Sequence, residues 1–477
     1  MSTIDTKALR ALRADFRGAL LQPDHEGYEE ARRVWNGAID RRPALIARCA
    51  GADDVVTAVR FARTHDLEMS VRGGGHSIGG LSVCEDGLMI DLSIMKAIEV
   101  DSATSTVAAA GGVLWGELDR ATQAHGLATT GGVISHTGIG GLTLGGGLGH
   151  LMRKHGLTVD NLLSADLVTA EGVLRHVDDT TDPELMWGLR GGGGNFGVAT
   201  RFEYQLHPVG PMILGGPVFW PIDQAHDVLR AVGAYAFAAP DELGMTIALV
   251  PAPPAPFVPP ELFGRPVMAL ILVWTGPPED GATAMAPLRQ IGTPIVDAVQ
   301  PTPYVALQSM LDGGAPHGRH YYWKAHKFPA LNDAVIDVFL DRMANTTSPF
   351  AQINGWAVGG AVSRVDEDAT AVGDRHEGFE MSISVGWLPF DPEPARHIAW
   401  VRDAWEHLRP QGEGVYANFI SDEGDEGVAY SYGERLERLR TLKASVDPDN
   451  SFHLNNNIKP APGQARRAGE VEPVDSG

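Results

Sequence analysis

Two glycine-rich segments in the first third of the chain constrain its fold more than any other feature. The first, Val71–Gly80, reads VRGGGHSIGG, and the second, Gly131–Gly149, reads GGVISHTGIGGLTLGGGLG. Both follow apolar runs, and glycine lets a backbone adopt positive φ and approach a ligand without a Cβ in the way. The pair therefore predicts main-chain N–H groups wrapped around a phosphate, with mobile turns as the alternative for either segment alone.

A third glycine-rich stretch, Gly192–Gly197, reads GGGNFG and fits the G-x-G-x-x-G fingerprint of a dinucleotide-binding fold. That fingerprint requires a strand before it and a helix after it. Here the preceding Pro183–Arg190 is predicted to be a short helix, and the alternating Val198–Tyr204 is predicted to be a strand. The order is reversed, so NAD is excluded.

Apolar spacing along the first 210 residues predicts short helices mixed with short strands. The N-terminus is predicted to be an amphipathic helix with Leu9, Leu12, Phe16 and Leu20 on one face. The other predicted elements are helices over Asp53–His65 and Leu114–His125 and strands over Met69–Val71, Leu88–Leu92, Ala97–Val100 and Thr106–Ala110. Glycine loops at strand ends favour an α+β nucleotide-binding domain over a doubly wound one.

The composition of the sequence changes near Gly210, which marks a predicted domain boundary. Residues 211–410 lack glycine clusters and contain the proline-rich Pro251–Pro256, which is too stiff for the interior of a sheet. Predicted strands, Val267–Trp274 and Phe379–Trp387, alternate with the predicted helices Asp333–Met343 and Ala395–Leu408. The predicted organisation is a first domain over 1–210, a second over 211–410, a return to the first over 411–462, and a polar, disordered tail over 463–477.

Composition narrows the classes of partner. The 477 residues carry a net charge of −22, which argues against nucleic acid. This acidity is interpreted as a solubility feature, with steering of a cationic substrate as the alternative. Because no apolar run is long enough to span a bilayer and the N-terminus has no apolar core, we expect a cytoplasmic protein without a membrane partner. Cys84, one of two cysteines, is interpreted as a small buried hydrophobe.

Five segments together resemble the vanillyl-alcohol oxidase/PCMH superfamily, and most closely its berberine-bridge-enzyme-like branch. They are the two glycine loops, the strand and turn Ser164–Gly172, the third loop Leu185–Val198, and the C-terminal Asp447–Phe452 with Asn455–Ile458. The resemblance implies a PCMH-type FAD-binding domain and a substrate domain whose large antiparallel sheet, flanked by helices, covers the flavin. It also implies that His76 carries FAD through a covalent bond from its ring to the flavin 8α-methyl.

The resemblance implies a set of cofactor contacts besides His76. They are Arg72, Gly73, Gly74, Gly75, Ser77, Gly79, Gly132, Thr137, Gly138, Gly140, Gly141, Gly197, Val198, Asn418, Asn455 and Asn457. Arg72 as a brace for its loop and Ser77 as a turn-capping hydroxyl are the structural alternatives. Some relatives have a second link from a cysteine in G-x-C-x-x-x-G, but Ile134 occupies that position here. A single covalent link and no metal are therefore expected.

Candidate catalytic residues follow from the same resemblance. Thr137 is small and is expected beside the flavin carbon that meets dioxygen, which favours an oxidase. His136 is expected either to face the substrate or to pack under the ring. Tyr416 is the local candidate for a catalytic base, because Phe419 replaces the tyrosine that many relatives have. A purely structural role for Tyr416 is the alternative. The segment Val415–Phe419 is predicted to be a strand with Tyr416 and Asn418 on one face.

The segment His320–His326 concentrates aromatic and basic residues on a predicted strand of the covering sheet. Tyr322, Lys324 and His326 share one face, and we expect Tyr322 and Lys324 to take part in catalysis. A core aromatic cluster with a solvated lysine is the alternative. Glu380 and Ser382, on a neighbouring predicted strand, are further candidates for the cavity.

The predicted function is that of an FAD-linked oxidoreductase that takes hydride from a small organic substrate. Dioxygen is the expected acceptor and hydrogen peroxide the product. A dehydrogenase with another acceptor and a flavin-binding protein without turnover are the alternatives. The sequence leaves the substrate open, and a monomer or homodimer is expected.

Overall fold

The computed structural model describes residues 4–255 and 258–462 of the chain. Its helices and strands are mixed along the chain, as an α+β fold requires. The predicted tail, 463–477, and Pro256 of the proline-rich segment lie outside the described residues. Both cysteines are buried and unpaired, and Cys84 packs in an apolar cluster with Tyr28 and Met89.

The first part of the chain contains three sheets and seven helices within the described residues. Its strands are β1 Ala19–Leu21, β2 Leu45–Arg48, β3 Met69–Arg72, β4 Leu88–Asp91, β5 Ile98–Asp101, β6 Thr106–Ala110, β7 Leu127–Ala128, β8 Leu162–Val168, β9 Leu174–Asp178, β10 Val198–Gln205 and β11 His207–Pro208. Its helices are α1 Thr6–Asp15, α2 Tyr28–Ala31, α3 Ala52–Thr64, α4 Trp115–Gln123, α5 Ile139–Leu144, α6 Met152–His155 and α7 Pro183–Leu189.

The strands of the first part fix where the first glycine loop begins, at the edge strand β3. A four-stranded sheet has the order β1-β2-β4-β3, with β4 parallel to both β2 and β3. A five-stranded antiparallel sheet has the order β5-β6-β10-β8-β9, and β7 pairs with β11. Helix α3 buries Val55 and Val59 against the first sheet, as its apolar spacing predicted. The first glycine loop follows β3 directly, so the sheet fixes where that loop begins.

The N-terminal helix is shorter than predicted. Helix α1 ends at Asp15 and buries Leu9 and Leu12, but Phe16 is already extended. Leu20 belongs to β1, where it pairs with Ala47. The prediction that all four apolar residues share one helical face was therefore wrong for Phe16 and Leu20, because pairing with the sheet takes over from the helix.

The second part of the chain is built around one large antiparallel sheet. Its strands are β12 Met212–Pro221, β13 Leu243–Pro251, β14 Pro266–Trp274, β15 Val296–Asp297, β16 Gln300–Pro303, β17 His320–Phe328, β18 Phe350–Val358 and β19 Gly378–Trp387. Its helices are α8 Ala225–Tyr235, α9 Pro278–Arg289, α10 Tyr304–Gln308, α11 Asp333–Ala344, α12 Ala361–Arg364 and α13 Pro394–Leu408. The order is β15-β12-β14-β13-β18-β19-β17, with β16 also on β12.

The two faces of this sheet differ sharply because side chains alternate along each strand. One face packs against α8, α9, α11 and α13 and carries an apolar core that includes Ile247, Leu270 and Ile383. The opposite face, with Gln352 and Ser384, lines a cavity of about 1090 Å³ that the glycine loops also line. The predicted antiparallel sheet flanked by helices is thus observed.

The last two α-helices of the described residues are α14 Gly424–Tyr432 and α15 Leu436–Val446, which pack with the apolar core of the first part. The predicted strand Val415–Phe419 was wrong, since Tyr416 is extended but Ala417–Phe419 is a 3-10 turn. The Tyr416 N–H donates to the Glu380 carboxylate instead of to a strand partner. The domain limits at 210, 410 and 462 stay a prediction.

Candidate active site

Close contact between the glycine loops builds one end of the cavity. A Cβ on Gly74 would lie 2.2 Å from the backbone nitrogen of Gly138, and one on Gly138 would lie 2.3 Å from that of Gly74. Gly75 has a φ of +69°, a conformation that favours glycine. The requirement for glycine here is steric: larger residues would push the two loops apart.

Most of the predicted cofactor residues lie around this cavity. The predicted residues that line it are Gly73, Gly74, Gly75, His76, Ser77, Gly132, Thr137, Gly138, Gly140, Gly141, Gly197, Asn418 and Asn455. Ser77 also caps a turn, because its hydroxyl accepts from the Leu81 N–H at 3.2 Å. Both interpretations of Ser77 are therefore compatible with its position.

Four predicted cofactor residues do not line the cavity. Arg72 donates to the Ala31 carbonyl at 2.8 Å and lies 3.7 Å from Asp91, as the bracing interpretation requires. A Cβ on Gly79 would lie 2.8 Å from the Ser421 carbonyl oxygen, so this glycine allows close packing. Val198 is in the apolar core at the start of β10. Asn457 is not part of the wall, whereas Asn455 and Asn456 line it.

The cavity fits FAD on two observations. The glycine wall leaves room for a ligand to approach the backbone, since a Cβ on Gly141, which lines the cavity, would meet nothing within 4 Å. At the same time the Oδ1 atom of Asn455 is buried without a hydrogen-bond partner, as a ligand-binding amide would be. The cavity volume, about 1090 Å³, is at the upper end of ordinary ligand pockets. A large cofactor and a small substrate can share it.

His76 lies in a cluster of rings beside the cavity. Its Nε2 atom is 2.7 Å from Nδ1 of His136, and its Nδ1 atom is 3.5 Å from the Thr137 hydroxyl. Trp35 stacks on it at 5.0 Å between ring centroids, and the exposed His317 meets it edge-on at 5.5 Å. Burial lowers the pKa of His76 well below its ordinary value, and the two neighbouring imidazoles lower that pKa further.

This geometry separates the two edges of the His76 ring. The Nε2 edge faces His136, which does not line the cavity, whereas the Nδ1 edge faces Thr137, which does. His136 therefore contacts His76 and does not line the cavity, and its part in catalysis stays a prediction. His76, His136 and His317 each bring one ring nitrogen within 4.8 Å of the others. Proximity of this kind could hold a metal ion, a group that the sequence did not predict.

Tyr416 and Asn418 lie together at the cavity wall. The Tyr416 hydroxyl oxygen accepts from the Gly147 N–H at 2.7 Å and from Asn418 Nδ2 at 2.7 Å. Burial raises the pKa of Tyr416 to about 12, and the two donated hydrogen bonds oppose that rise. Phe419 meets the Tyr416 ring edge-on at 5.1 Å. Both acceptor positions of the phenol are used, which leaves its own O–H to donate.

Tyr322 and Lys324 were predicted to take part in catalysis, and the structure places both on the wrong face of the sheet. Lys324 pairs with Asp422 and with Glu423, the latter at 2.8 Å, and the Tyr322 hydroxyl donates to Asp422 at 3.1 Å. His326 stacks on Trp405 of α13 at 5.3 Å. These three side chains share a face, as predicted, but that face packs against α13 and not against the cavity.

The cavity-facing residues of the same strand are the ones that sequence reasoning missed. Tyr321 and Trp323 line the cavity, and Tyr321 stacks on Trp35 at 4.0 Å. Period-2 alternation could have identified them as the alternative face, but nothing in the pattern indicated which face was which. Gln352 and Asn354 of β18 also line the cavity and carried no sequence signal.

Of the two further candidates on β19, only Ser382 reaches the cavity. Its hydroxyl donates to Asn354 Oδ1 at 2.7 Å. Glu380 lies under the cavity wall, where its carboxylate accepts from the Tyr416 N–H at 2.7 Å. Burial raises the pKa of Glu380 to about 7. Glu380 therefore supports Tyr416 and does not line the cavity.

Two family models match the chain at the segments that build this site. An FAD binding domain matches residues 43–178, and a domain described as berberine and berberine like matches residues 415–459. An FAD-linked oxidoreductase of Dictyostelium discoideum is 34% identical over 450 residues, covering 93% of this chain and 95% of that protein. The chain is a berberine-bridge-enzyme-like FAD-linked oxidoreductase. The family confirms the resemblance and identifies the chain as an enzyme.

Other relatives support the same family assignment. (R)-6-hydroxynicotine oxidase of Paenarthrobacter nicotinovorans is 31% identical over 460 residues, covering 93% of this chain and 97% of that protein. The solved structure of 6-hydroxy-D-nicotine oxidase from Arthrobacter nicotinovorans matches with a TM-score of 0.85 at 26% identity, over 96% of this chain and 100% of that one. A chitooligosaccharide oxidase shares the fold, with a TM-score of 0.84 at 22% identity, over 95% of this chain and 100% of that one.

Within the part of the chain that the structure describes, no helix is both long and apolar enough to cross a membrane.

Proposed function

We propose that this oxidoreductase is an oxidase whose FAD is attached through one covalent bond to His76. The observation that carries this proposal is the contact between His76 Nε2 and His136 Nδ1, at 2.7 Å. When His136 accepts the Nε2 proton, the lone pair of His76 is on Nδ1, at the edge that faces Thr137 and the cavity. A neutral imidazole with a free lone pair is the form that can bond to carbon, and the lowered pKa keeps His76 neutral.

FAD bound in the cavity would supply the redox chemistry, taking hydride from the substrate and passing two electrons to dioxygen. Overall the substrate loses two electrons and two protons, and dioxygen gains them as hydrogen peroxide. The residues of this chain bind the cofactor, orient the substrate carbon, and accept and donate protons. Thr137, which lines the cavity, is proposed to leave room for dioxygen because its side chain is short.

Tyr416 is proposed to manage the substrate proton. Its hydroxyl is held by Gly147 and Asn418, and its ring lines the cavity. The two donated bonds stabilise the phenolate form, although a pKa of about 12 keeps the phenol protonated near neutral pH. In this proposal the small ionised fraction takes the proton of the substrate hydroxyl or amine as hydride leaves.

Acid precipitation of the purified protein tests the covalent link. We expect yellow flavin to stay with the precipitated wild-type chain and to be lost from His76→Ala. Free FAD in the wild-type supernatant, or acid-stable flavin in His76→Ala, would contradict the assignment. Light-driven reduction of the flavin followed by mixing with aerated buffer tests the oxidase separately: fast reoxidation with peroxide release supports it, and slow reoxidation would favour a dehydrogenase with another acceptor.

A further inference from the structure

The charge of the cavity is opposite to the charge of the chain. The protein carries a net charge of −22, yet no Asp or Glu of the described residues lines the cavity. Among those residues Arg319 is the one Lys or Arg side chain in its wall. His76, the other ionisable base there, is held neutral by its burial. The acidity of the chain therefore does not extend to the cavity wall.

Arg319 is placed at the cavity by the strand that it precedes. It stands directly before β17, and its guanidinium carbon lies 3.8 Å from the ring centroid of Phe350. One N–H donates to the Gly314 carbonyl at 3.2 Å, and the guanidinium also interacts with Tyr321, which leaves the remaining N–H donors of the fork available. Within the described ranges the guanidinium forms no ion pair with a carboxylate. The Arg319 guanidinium is therefore held in place, and no carboxylate of the described residues neutralises its positive charge.

The rest of the cavity wall offers little to compensate a charge. Much of it is aromatic, with Trp323, Trp356 and Phe419. The polar side chains bond to one another, since Ser382 donates to Asn354 and Asn354 donates to Gln352 at 3.1 Å. A buried ammonium group would find no carboxylate in this wall and would lose its hydration uncompensated. An anionic group would find Arg319.

We propose that the substrate is an aromatic or similarly apolar compound that carries a carboxylate, and that Arg319 binds this carboxylate. The proposal rests on the oxidation of a substrate in this cavity, as proposed above. The planar fork of arginine matches a carboxylate with two parallel hydrogen bonds. The cofactor pyrophosphate is the other anion that this cavity would hold. However, the glycine loops offer N–H groups for it, whereas Arg319 lies against Phe350 of the covering sheet.

The test compares three ring compounds of similar size on the FAD-loaded enzyme: benzoate, benzamide and benzylammonium. Binding is measured by the change that each causes in the flavin absorbance spectrum, which requires no turnover. We expect benzoate to bind about tenfold or more tightly than benzamide, because a charged hydrogen bond is stronger than a neutral one. Benzylammonium should bind most weakly. Equal binding of benzoate and benzamide, or tightest binding of benzylammonium, would overturn the proposal.

Variants then assign the effect to one side chain. Arg319→Gln should weaken benzoate about tenfold or more and leave benzamide within about twofold, while Arg319→Lys should keep part of the preference. Arg409→Gln is the matched control, because Arg409 is exposed, pairs with Glu426 and lies outside the cavity. Unchanged benzoate binding in Arg319→Gln would refute the assignment. Loss of FAD from that variant would assign Arg319 to the cofactor phosphates and also refute it.

The proposed oxidase function is judged by a different measurement. Reoxidation of photoreduced enzyme by dioxygen needs no substrate, so it succeeds or fails independently of the benzoate preference. If dioxygen reoxidises the enzyme fast but benzoate and benzamide bind equally, the inference about Arg319 alone is overturned. A slow-reoxidising enzyme that prefers benzoate would overturn the oxidase proposal alone.

Discussion

Replacing His136 with alanine should slow the covalent attachment of FAD to His76 without preventing FAD from binding. In the tautomer proposed above, His76 donates its Nε2–H to His136 Nδ1 across the 2.7 Å contact, and its own Nδ1 is free. A buried hydrogen bond between neutral groups contributes about 1 kcal/mol net. Its loss lowers the ratio of the reactive tautomer to the Nδ1–H tautomer about fivefold, with a range of about twofold to tenfold. The rate of attachment should fall by up to that factor.

The assay separates bound flavin from attached flavin. Total flavin is read on the native protein after gel filtration, and attached flavin is read in the acid precipitate over time. His136→Asn offers an amide oxygen where Nδ1 stood, so it should retain most of the rate. His317→Ala is the matched control, because His317 lies 4.8 Å from His136 between ring centroids but makes no hydrogen bond to His76.

Two results would refute this reasoning. If His136→Ala attached its flavin at the wild-type rate, the contact would have no role in setting the tautomer. If His136→Asn were as slow as His136→Ala, acceptance of a hydrogen bond would not be sufficient and the tautomer argument would be wrong. A parallel loss of total flavin in His136→Ala would instead show that the residue supports the binding of FAD.

Three further predictions address the acceptor, the proton and the pH. Thr137→Leu adds bulk at the cavity wall and should slow reoxidation of reduced enzyme about tenfold, which raises the activation barrier by about 1.4 kcal/mol. Stopped-flow mixing with aerated buffer measures the rate of reoxidation, and an unchanged rate would exclude a gating role for Thr137. Because the pKa of Tyr416 is about 12, the rate of flavin reduction by substrate should climb toward alkaline pH, and Tyr416→Phe should be at least about a hundredfold slower and lose that climb; a variant that kept it would exclude Tyr416 as the base. The pKa of Glu380 is raised from 4.5 to about 7 in the folded state, so its contribution to stability is full below about pH 4.5 and is lost as pH rises through about 7. Denaturant unfolding should therefore show Glu380→Gln gaining about 1 to 3 kcal/mol relative to wild type between about pH 5 and about pH 8, and a pH-independent difference would contradict the raised pKa.

The parts of the site that the sequence predicted correctly are those with local causes. The contact between Gly74 and Gly138 tolerates no Cβ on either residue, so the presence of glycine at both positions already indicates a close approach. Apolar spacing located α3 and α4 to within about two residues for the same reason, since the pattern and the buried face arise within one element. Covalent attachment at His76 stays a prediction.

The parts that it missed depend on contacts between distant segments. Alternation along β17 grouped Tyr322 with Lys324 correctly, but only the packing of α13 decides that this face is turned away from the cavity. The turn at Ala417–Phe419 replaces the predicted strand because Glu380, 36 residues away from Tyr416, accepts its N–H. The pairing of His76 with His136 joins two loops 60 residues apart.

The alternation of the large sheet has a consequence for how such an enzyme can change. Residues such as Ile353 and Ile383 hold the helices, while their neighbours Gln352 and Ser384 only furnish the cavity. Substitutions on the second set alter what the cavity accepts at little cost to the stability of the core. Selection can therefore revise specificity on one side of the sheet while the other side stays constant. Relatives with this fold include oxidases named for a hydroxynicotine and for a chitooligosaccharide, two chemically unrelated compounds.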